Sequence, residues 1–226
     1  MTPDSPAAHN GLTPVRVYCA TSNPGKLREF QLAAPDFDVR PLPQSVPPPE
    51  EHGATFEENA IEKARYYGRF AAQFKDGYLF ADDSGLEVDA LGGAPGVHSA
   101  RYAGPDATDA ANNALLLERL KDVADRRARF VCLIALVRDG ELVRTFRGSV
   151  EGRILDAPRG TGGFGYDPLF YHEAFGCTFG EAPIGDKMLV SHRAQALEAM
   201  FTFLRDSAAS EGTRSSSSRP ESSASG

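Results

Sequence analysis

The chain is short of cysteine, of long apolar runs and of positive charge, and each shortage excludes a class of function. Cys19, Cys132 and Cys177 are the only three cysteines in 226 residues. They are odd in number and far apart, which suits neither a zinc-ligand spacing nor a disulfide framework, so a reducing compartment is expected. No hydrophobic stretch approaches the length of a membrane span. The N-terminus lacks the basic start and apolar core of a secretory signal. A cytoplasmic location with no membrane partner is therefore expected. Lys and Arg total 24 against 31 Asp and Glu, a net charge of −7. A general nucleic-acid binder carries a basic excess, so no nucleic-acid partner is expected, although a few local lysines can still hold a small anion. The Gly-x₄-Gly-Lys-Ser/Thr phosphate loop is missing as well.

What is present suits one globular domain of one or two lobes. Residues 1–13 have no periodicity and read as a disordered lead. Residues 207–226 are dominated by serine and read as a flexible tail. The folded domain is expected over 14–206.

The stretch around Asp82 and Asp83 organises the rest. Tyr78, Leu79, Phe80 and Ala81 form a short apolar run that reads as a buried strand. The run is expected to end on the two carboxylates and then turn at Ser84-Gly85. Ligands of α/β sheets gather beyond the carboxyl ends of strands. Two carboxylates there suit a hard cation such as Mg²⁺, or one could serve as a general base. Asp, Ser and Gly also favour plain turns, which is the structural alternative. Successive strand residues point to opposite sides, so Asp82 and Asp83 should do different jobs.

Upstream, residues 15–20 read as a first strand and 27–34 as a helix, with Asn23 as N-cap and Pro24 at the first helical position. Lys26 sits in that first turn, where phosphates bind and lysine is otherwise unfavourable. The proline-rich run from Pro41 to Pro49 is an extended loop delivering Glu50 and Glu51. Thr55 and Glu58 form a capping box. Phe56, Ala60, Ala64, Tyr67, Ala71 and Phe74 then make one buried helical stripe. At ~100° per residue Lys63 lies near the edge of that stripe, with Asn59 one turn earlier. Such a lysine either snorkels or meets an anion in a cleft.

Downstream, Thr108 opens an amphipathic helix to Lys121, and two strands join at Asp139-Gly140, a strong hairpin signal. Residues 160–168 pack four glycines around Phe164 and Tyr166. Glycine lets backbone approach a ligand closely, and the two rings could stack on a flat base or tuck into the core. Ser191 caps a last helix to about Leu204, with Lys187, His192 and Arg193 clustered at its start. A bound anion would relieve that basic cluster.

These stretches resemble the inosine triphosphate pyrophosphatase family, the Ham1-like non-canonical purine NTP pyrophosphatases, and most closely its bacterial branch. The matching pieces are Thr21-Ser22-Asn23-Pro24-Gly25-Lys26, Thr55-Phe56-Glu57-Glu58-Asn59-Ala60 with Lys63-Ala64, Ala81-Asp82-Asp83-Ser84-Gly85-Leu86, Leu91-Gly92-Gly93-Ala94-Pro95-Gly96-Val97, Ser99-Ala100-Arg101-Tyr102, Gly162-Gly163-Phe164-Gly165-Tyr166-Asp167-Pro168 and Ser191-His192-Arg193. The resemblance implies an α/β fold with a long mixed central sheet, flanking helices and two lobes around a nucleotide cleft. It implies a homodimer that hydrolyses ITP, dITP and XTP to monophosphate and pyrophosphate with Mg²⁺. It also implies that Thr21, Ser22, Asn23, Pro24, Gly25 and Lys26 wrap the triphosphate, with Asn59, Lys63 and Ser84 helping to hold phosphates. Asp83 becomes the proton acceptor and a metal ligand, with Glu50 the second ligand. Phe164, Gly165, Tyr166 and Asp167 would recognise the base, and Lys187, His192 and Arg193 would close the purine end. A Maf-like pyrophosphatase of other specificity, a non-catalytic nucleotide sensor and a protein reading modified bases in a strand are the rivals.

Overall fold

The computed structural model describes residues 16–21, 23–33, 37–42, 46–70 and 77–216. Residues 1–13, Val15, Ser22, Ala71, Phe74 and the end of the serine tail (217–226) lie outside the described residues.

Seven strands form one sheet in the order β2-β1-β3-β4-β5-β6-β7. They are β1 (Arg16–Cys19), β2 (Asp38–Pro41), β3 (Tyr78–Val88), β4 (Arg127–Arg138), β5 (Glu141–Ile154), β6 (Phe170–His172) and β7 (Cys177–Thr178). β2, β1 and β3 run parallel, and every other neighbouring pair is antiparallel. The helices are α1 (Pro24–Ala33), α2 (Phe56–Gly68), α3 (Asp109–Arg119), α4 (Ile184–Val190) and α5 (His192–Ser216). The expected mixed α/β sheet with flanking helices is observed.

Alternation along the long strands sorts the core. Phe80, Cys132, Ile134 and Phe146 pack with Phe30 of α1 and with Leu197 and Phe201 of α5 on one face. Leu79, Ala81, Val131, Leu133 and Ala135 meet Phe56, Ala60 and Ala64 of α2 on the other. A separate cluster at the far end joins Leu86, Phe130, Val150 and Phe170 to Leu116 and Leu120 at α3. Burying these stripes is what holds the helices to the sheet, at about 25 cal/mol per Å² of apolar surface.

Two expected boundaries differ from those found. β3 does not turn at Ser84-Gly85. It stays extended to Val88, because β4 pairs with it antiparallel from Tyr78↔Arg138 to Val88↔Ala128. Its parallel partner β1 stops at Cys19↔Phe80. Asp82 and Asp83 therefore stand mid-strand, just past the end of the parallel portion. The last helix, expected to end at about Leu204, continues to Ser216; Ala208 and Ala209 favour helix before the serine run begins. The Asp139-Gly140 hairpin is as expected, with positive φ at both residues (54° and 83°).

Gly148 on β5 sets how closely α5 approaches. A Cβ there would collide with the backbone carbonyl of His192 and lie 2.8 Å from the Ala196 amide nitrogen. Gly148→Ala is expected to push the start of α5 outward and to cost ~3 kcal/mol of stability, as overpacking against backbone does. Chemical denaturation of the variant against the parent checks this.

Candidate active site

α1 opens on a turn that its own side chains close. Asn23 Oδ1 accepts the amides of Gly25 (2.8 Å) and Lys26 (3.2 Å), and the Asn23 amide donates to Thr21 Oγ1 (3.2 Å). The cap is as expected, but the amides offered to a phosphate are thereby occupied. The Lys26 ammonium reaches Asp82 Oδ2 at 2.7 Å. The anion that makes a lysine tolerable in this first turn is thus a carboxylate of β3.

Asp82 and Asp83 do face opposite sides. Asp82 is 3% exposed and accepts Lys26 and the Ser84 hydroxyl (2.8 Å), with Arg193 Nε 4.0 Å away. Burial works to raise its pKa, but Lys26, Arg193 and Lys63 outweigh that and hold the carboxyl at about 2. Asp83 turns to α2. Its Oδ1 accepts Lys63 Nζ (2.8 Å) and its Oδ2 accepts Asn59 Nδ2 (3.1 Å). Burial is the largest influence on Asp83, and Lys63 and Asn59 do not cancel it, so its pKa is raised.

Lys63 gathers a second carboxylate, Glu51, at 2.7 Å, which Arg101 also binds at 3.0 Å. Asn59 Oδ1 accepts the Gly53 amide at 2.8 Å and so pins the loop that carries Glu51. Glu50 is placed otherwise: its side chain is 89% exposed beside His52. Glu51, not Glu50, lines the cleft. Neighbours on an extended loop point apart, so one of the pair reaches the cleft and the other meets water.

Beyond Arg193 the cleft is drier. Glu29 Oε2 binds Arg193 (2.6 Å), Glu29 Oε1 binds Lys187 (2.9 Å), and Lys187 reaches Asp167 (2.7 Å). Burial would raise the Glu29 pKa, yet Arg193 and Lys187 together keep it low. Burial raises that of Asp167 despite Lys187. Lys187 belongs to the short helix α4 rather than to the start of α5. Lys187 and Arg193 stand 5.1 and 5.2 Å from the Phe164 ring centre. Tyr166 is 4% exposed and its hydroxyl donates to the Ser99 carbonyl (2.8 Å), so it is a core anchor with its ring packed inward. The His192 ring stacks on Phe130 at 4.9 Å, and among the described residues neither of its nitrogens has a hydrogen-bond partner, nor has Arg193 Nε. Burial, then Arg193, Lys187 and Lys26, push the His192 pKa well below its usual value, leaving a neutral ring.

A sequence model described as the Ham1 family matches residues 17–203. The chain belongs to the Ham1 family. Curated Ham1 relatives include the dITP/XTP pyrophosphatases of Syntrophobacter fumaroxidans and Geobacter sulfurreducens. The first is 52% identical over 79% of this chain and 77% of that protein; the second is 50% identical over 80% and 92%. Among solved structures, a HAM1 protein from Coxiella burnetii superposes with a TM-score of 0.74 at 44% identity, covering 85% of this chain and 99% of that one. The Staphylococcus aureus Ham1 protein gives 0.73 at 41%, with the same coverage.

In this Ham1 chain one cavity is lined by Asn23, Lys26, Lys63, Asp83 and Ser84 together with Phe164, Gly165, Tyr166, Asp167, His192 and Arg193. Lys187 lies behind Phe164, on a neighbouring cavity shared with Gly25. Ser22 lies outside the described residues. Sequence reasoning missed Glu29, Glu51, Asn112 and Asp109, all of which line this cavity or brace its walls. No cluster of three or more His, Cys, Asp and Glu side chains forms a metal cage among the described residues. Mg²⁺ is usually held by one or two carboxylates plus substrate phosphates, and Asp83 with Glu51, both facing the cleft and converging on Lys63, fits that donor set.

Proposed function

We propose that this Ham1 chain hydrolyses ITP, dITP and XTP to the monophosphate and pyrophosphate, clearing them from the nucleotide pool. The observation that carries the proposal is the polarity of the cleft. Lysine-bound carboxylates stand beside a wall that carries the Phe164 ring and, among the described residues, the unpartnered polar atoms of His192 and Arg193. Phosphates would take Lys26 and Lys63 from their carboxylates, with Ser84, Asn59 and the turn of Thr21, Ser22, Asn23, Pro24 and Gly25 around them. Asp83 would accept the proton of a water attacking the α-phosphorus. The bond from that phosphorus to the α–β bridging oxygen would break, and pyrophosphate would leave with the oxygen, its charge met by the two lysines. Mg²⁺, held by Asp83 and Glu51, would neutralise phosphate charge when bound. Glu50, which the family resemblance implies as ligand, faces solvent, and Glu51 supports that role better.

Arg193 Nε can only donate. A 6-oxo purine offers it an acceptor, whereas the 6-amino group of adenine offers a donor, so a site built this way rejects ATP. A homodimer in the cytoplasm is the further part of the proposal, supported by the family resemblance and by the lack of disulfides among the described cysteines.

The test is purified protein with Mg²⁺ and ITP, dITP, XTP, ATP or GTP, following pyrophosphate and orthophosphate separately. Pyrophosphate from the first three and little from the others is expected. Orthophosphate would place attack at the terminal phosphate. Tight binding without turnover would favour a nucleotide sensor.

A further inference from the structure

Phe164 is the common wall of three cavities: the cleft itself, a groove between α3 and residues 160–163, and a hollow between α1 and α4. Its neighbours Gly163 and Gly165 both have positive φ, 72° and 61°. Glycines bring no side chains with which to pack a loop and allow it many conformations. The ring must therefore be held from outside the loop.

Asp167 accepts the Phe164 amide at 2.9 Å, and Tyr166 ties the loop to Ser99. Lys187 and Arg193 flank the ring itself, and the remaining hold on the loop backbone comes from α3. Asp109 Oδ2 accepts the Gly165 amide at 2.7 Å, and Asn113 Nδ2 donates to the Gly165 carbonyl at 3.1 Å. The two side chains are four residues apart, hence on one face of the helix. The cap and the docking contacts of α3 come from other side chains. Thr108 caps it through the Ala111 amide (3.2 Å), and Asn112 anchors it to the Ala103 amide (2.8 Å) and the Ala100 carbonyl (3.1 Å).

We propose that Asp109 and Asn113 are positioning residues for base recognition. They grip the donor and the acceptor of Gly165 together and so fix the Phe164 ring against the cleft. This rests on Phe164 being the wall on which the base stacks. α3 otherwise looks like a packing helix, yet its polar face decides where the aromatic wall stands.

The test uses the full chain with Mg²⁺ and dITP, with inorganic tripolyphosphate, which has no base, as competing inhibitor. Asp109→Ala and Asn113→Ala are each expected to raise KM for dITP by about fivefold to tenfold, the effect of one lost hydrogen bond. They should leave kcat within about threefold and tripolyphosphate inhibition unchanged, the pattern of lost uniform binding. Asp109→Asn keeps an acceptor oxygen and should rescue KM. Asn113→Asp aims an acceptor at a carbonyl and should behave like the alanine variant. The chain contains no tryptophan, so Phe164→Trp supplies a sole reporter. Its fluorescence anisotropy should fall when Asp109→Ala or Asn113→Ala is added. Unchanged KM with unchanged anisotropy, an effect from only one of the two residues, or tripolyphosphate inhibition weakening in parallel would each overturn the clamp. If the parent chain released no pyrophosphate from dITP, the proposed activity would fall, and the anisotropy alone would decide the clamp.

Discussion

Asp83→Asn is expected to lower kcat for dITP by about three orders of magnitude, the scale of a lost general base, while nucleotide binding stays within a few-fold. The shape of the side chain is kept, but Asn59 and Lys63 donate to different oxygens of Asp83, so one of them meets the single amide oxygen and the other faces the new NH₂. Stability should not follow activity. The folded-state pKa of Asp83 lies above its ordinary value because burial outweighs the help of Lys63. A carboxyl raised in this way favours the fold only while protonated, and that contribution is lost as pH rises through the folded value. Asparagine is neutral throughout and escapes that penalty at pH 7, which offsets the one acceptor it loses, so the variant should melt within a few degrees of the parent. Rate and melting temperature measured on one preparation check both halves. A variant that kept its turnover would remove Asp83 from the chemistry. In the parent, the acid limb of kcat/KM should stand above the usual aspartate range for the same reason.

Glu29→Ala is expected to cost about 3–5 kcal/mol of unfolding free energy, the range seen when one partner of a buried ion pair is removed. Glu29 is 2% exposed and bridges Lys187 and Arg193, both within a few per cent of full burial. Its loss leaves Lys187 with Asp167 alone and leaves Arg193 4.0 Å from its next carboxylate, Asp82. The effect should depend on pH. Glu29 and Asp82 are both held below their ordinary values, so each adds stability above its unfolded pKa and loses it as pH falls through the folded one, about 2 for Asp82. The parent should weaken steadily below about pH 4.5, and the gap between parent and variant should narrow there. Urea midpoints at pH 7 and pH 3 test this; equal midpoints at pH 7 would mean that the ion chain contributes nothing net.

Much of this was legible in local sequence. The capping box at Thr55 and Glu58, the Asn23 cap, the Asp139-Gly140 turn and the opposite facing of Asp82 and Asp83 all follow from rules that span a few residues. The helical angle also places Lys63 at the edge of the α2 stripe, but it leaves open whether the side chain snorkels or meets an anion; Asp83 and Glu51 against it decide for the anion. What stayed hidden depends on chain far away. The continuation of β3 through Ser84-Gly85 is imposed by β4, whose residues 128–134 supply the pairing. Glu29 reads as an ordinary polar position on α1 until α4 and α5, more than 150 residues later, close over it. Lys187 falls in a seven-residue helix containing Gly185, too short to show a period. Glu50 and Glu51 lie in an irregular proline-rich loop, where neither helical nor strand periodicity assigns a direction.

The pairing of β3 with β4 has one more consequence. The ladder from Tyr78 to Val88 is continuous, and it crosses from the parallel half of the sheet into the part that packs on α3. Hinges form at a few loop or terminal residues that can absorb a large change of backbone angle, and a fully bonded strand offers none. The floor of the cleft, where Asp83, Ser84, Gly85 and Leu86 line it, is thus cast when the protein folds. A nucleotide bound there would find Asp83 already set in a rigid strand, and adjustment to its shape would fall to side chains and rim loops.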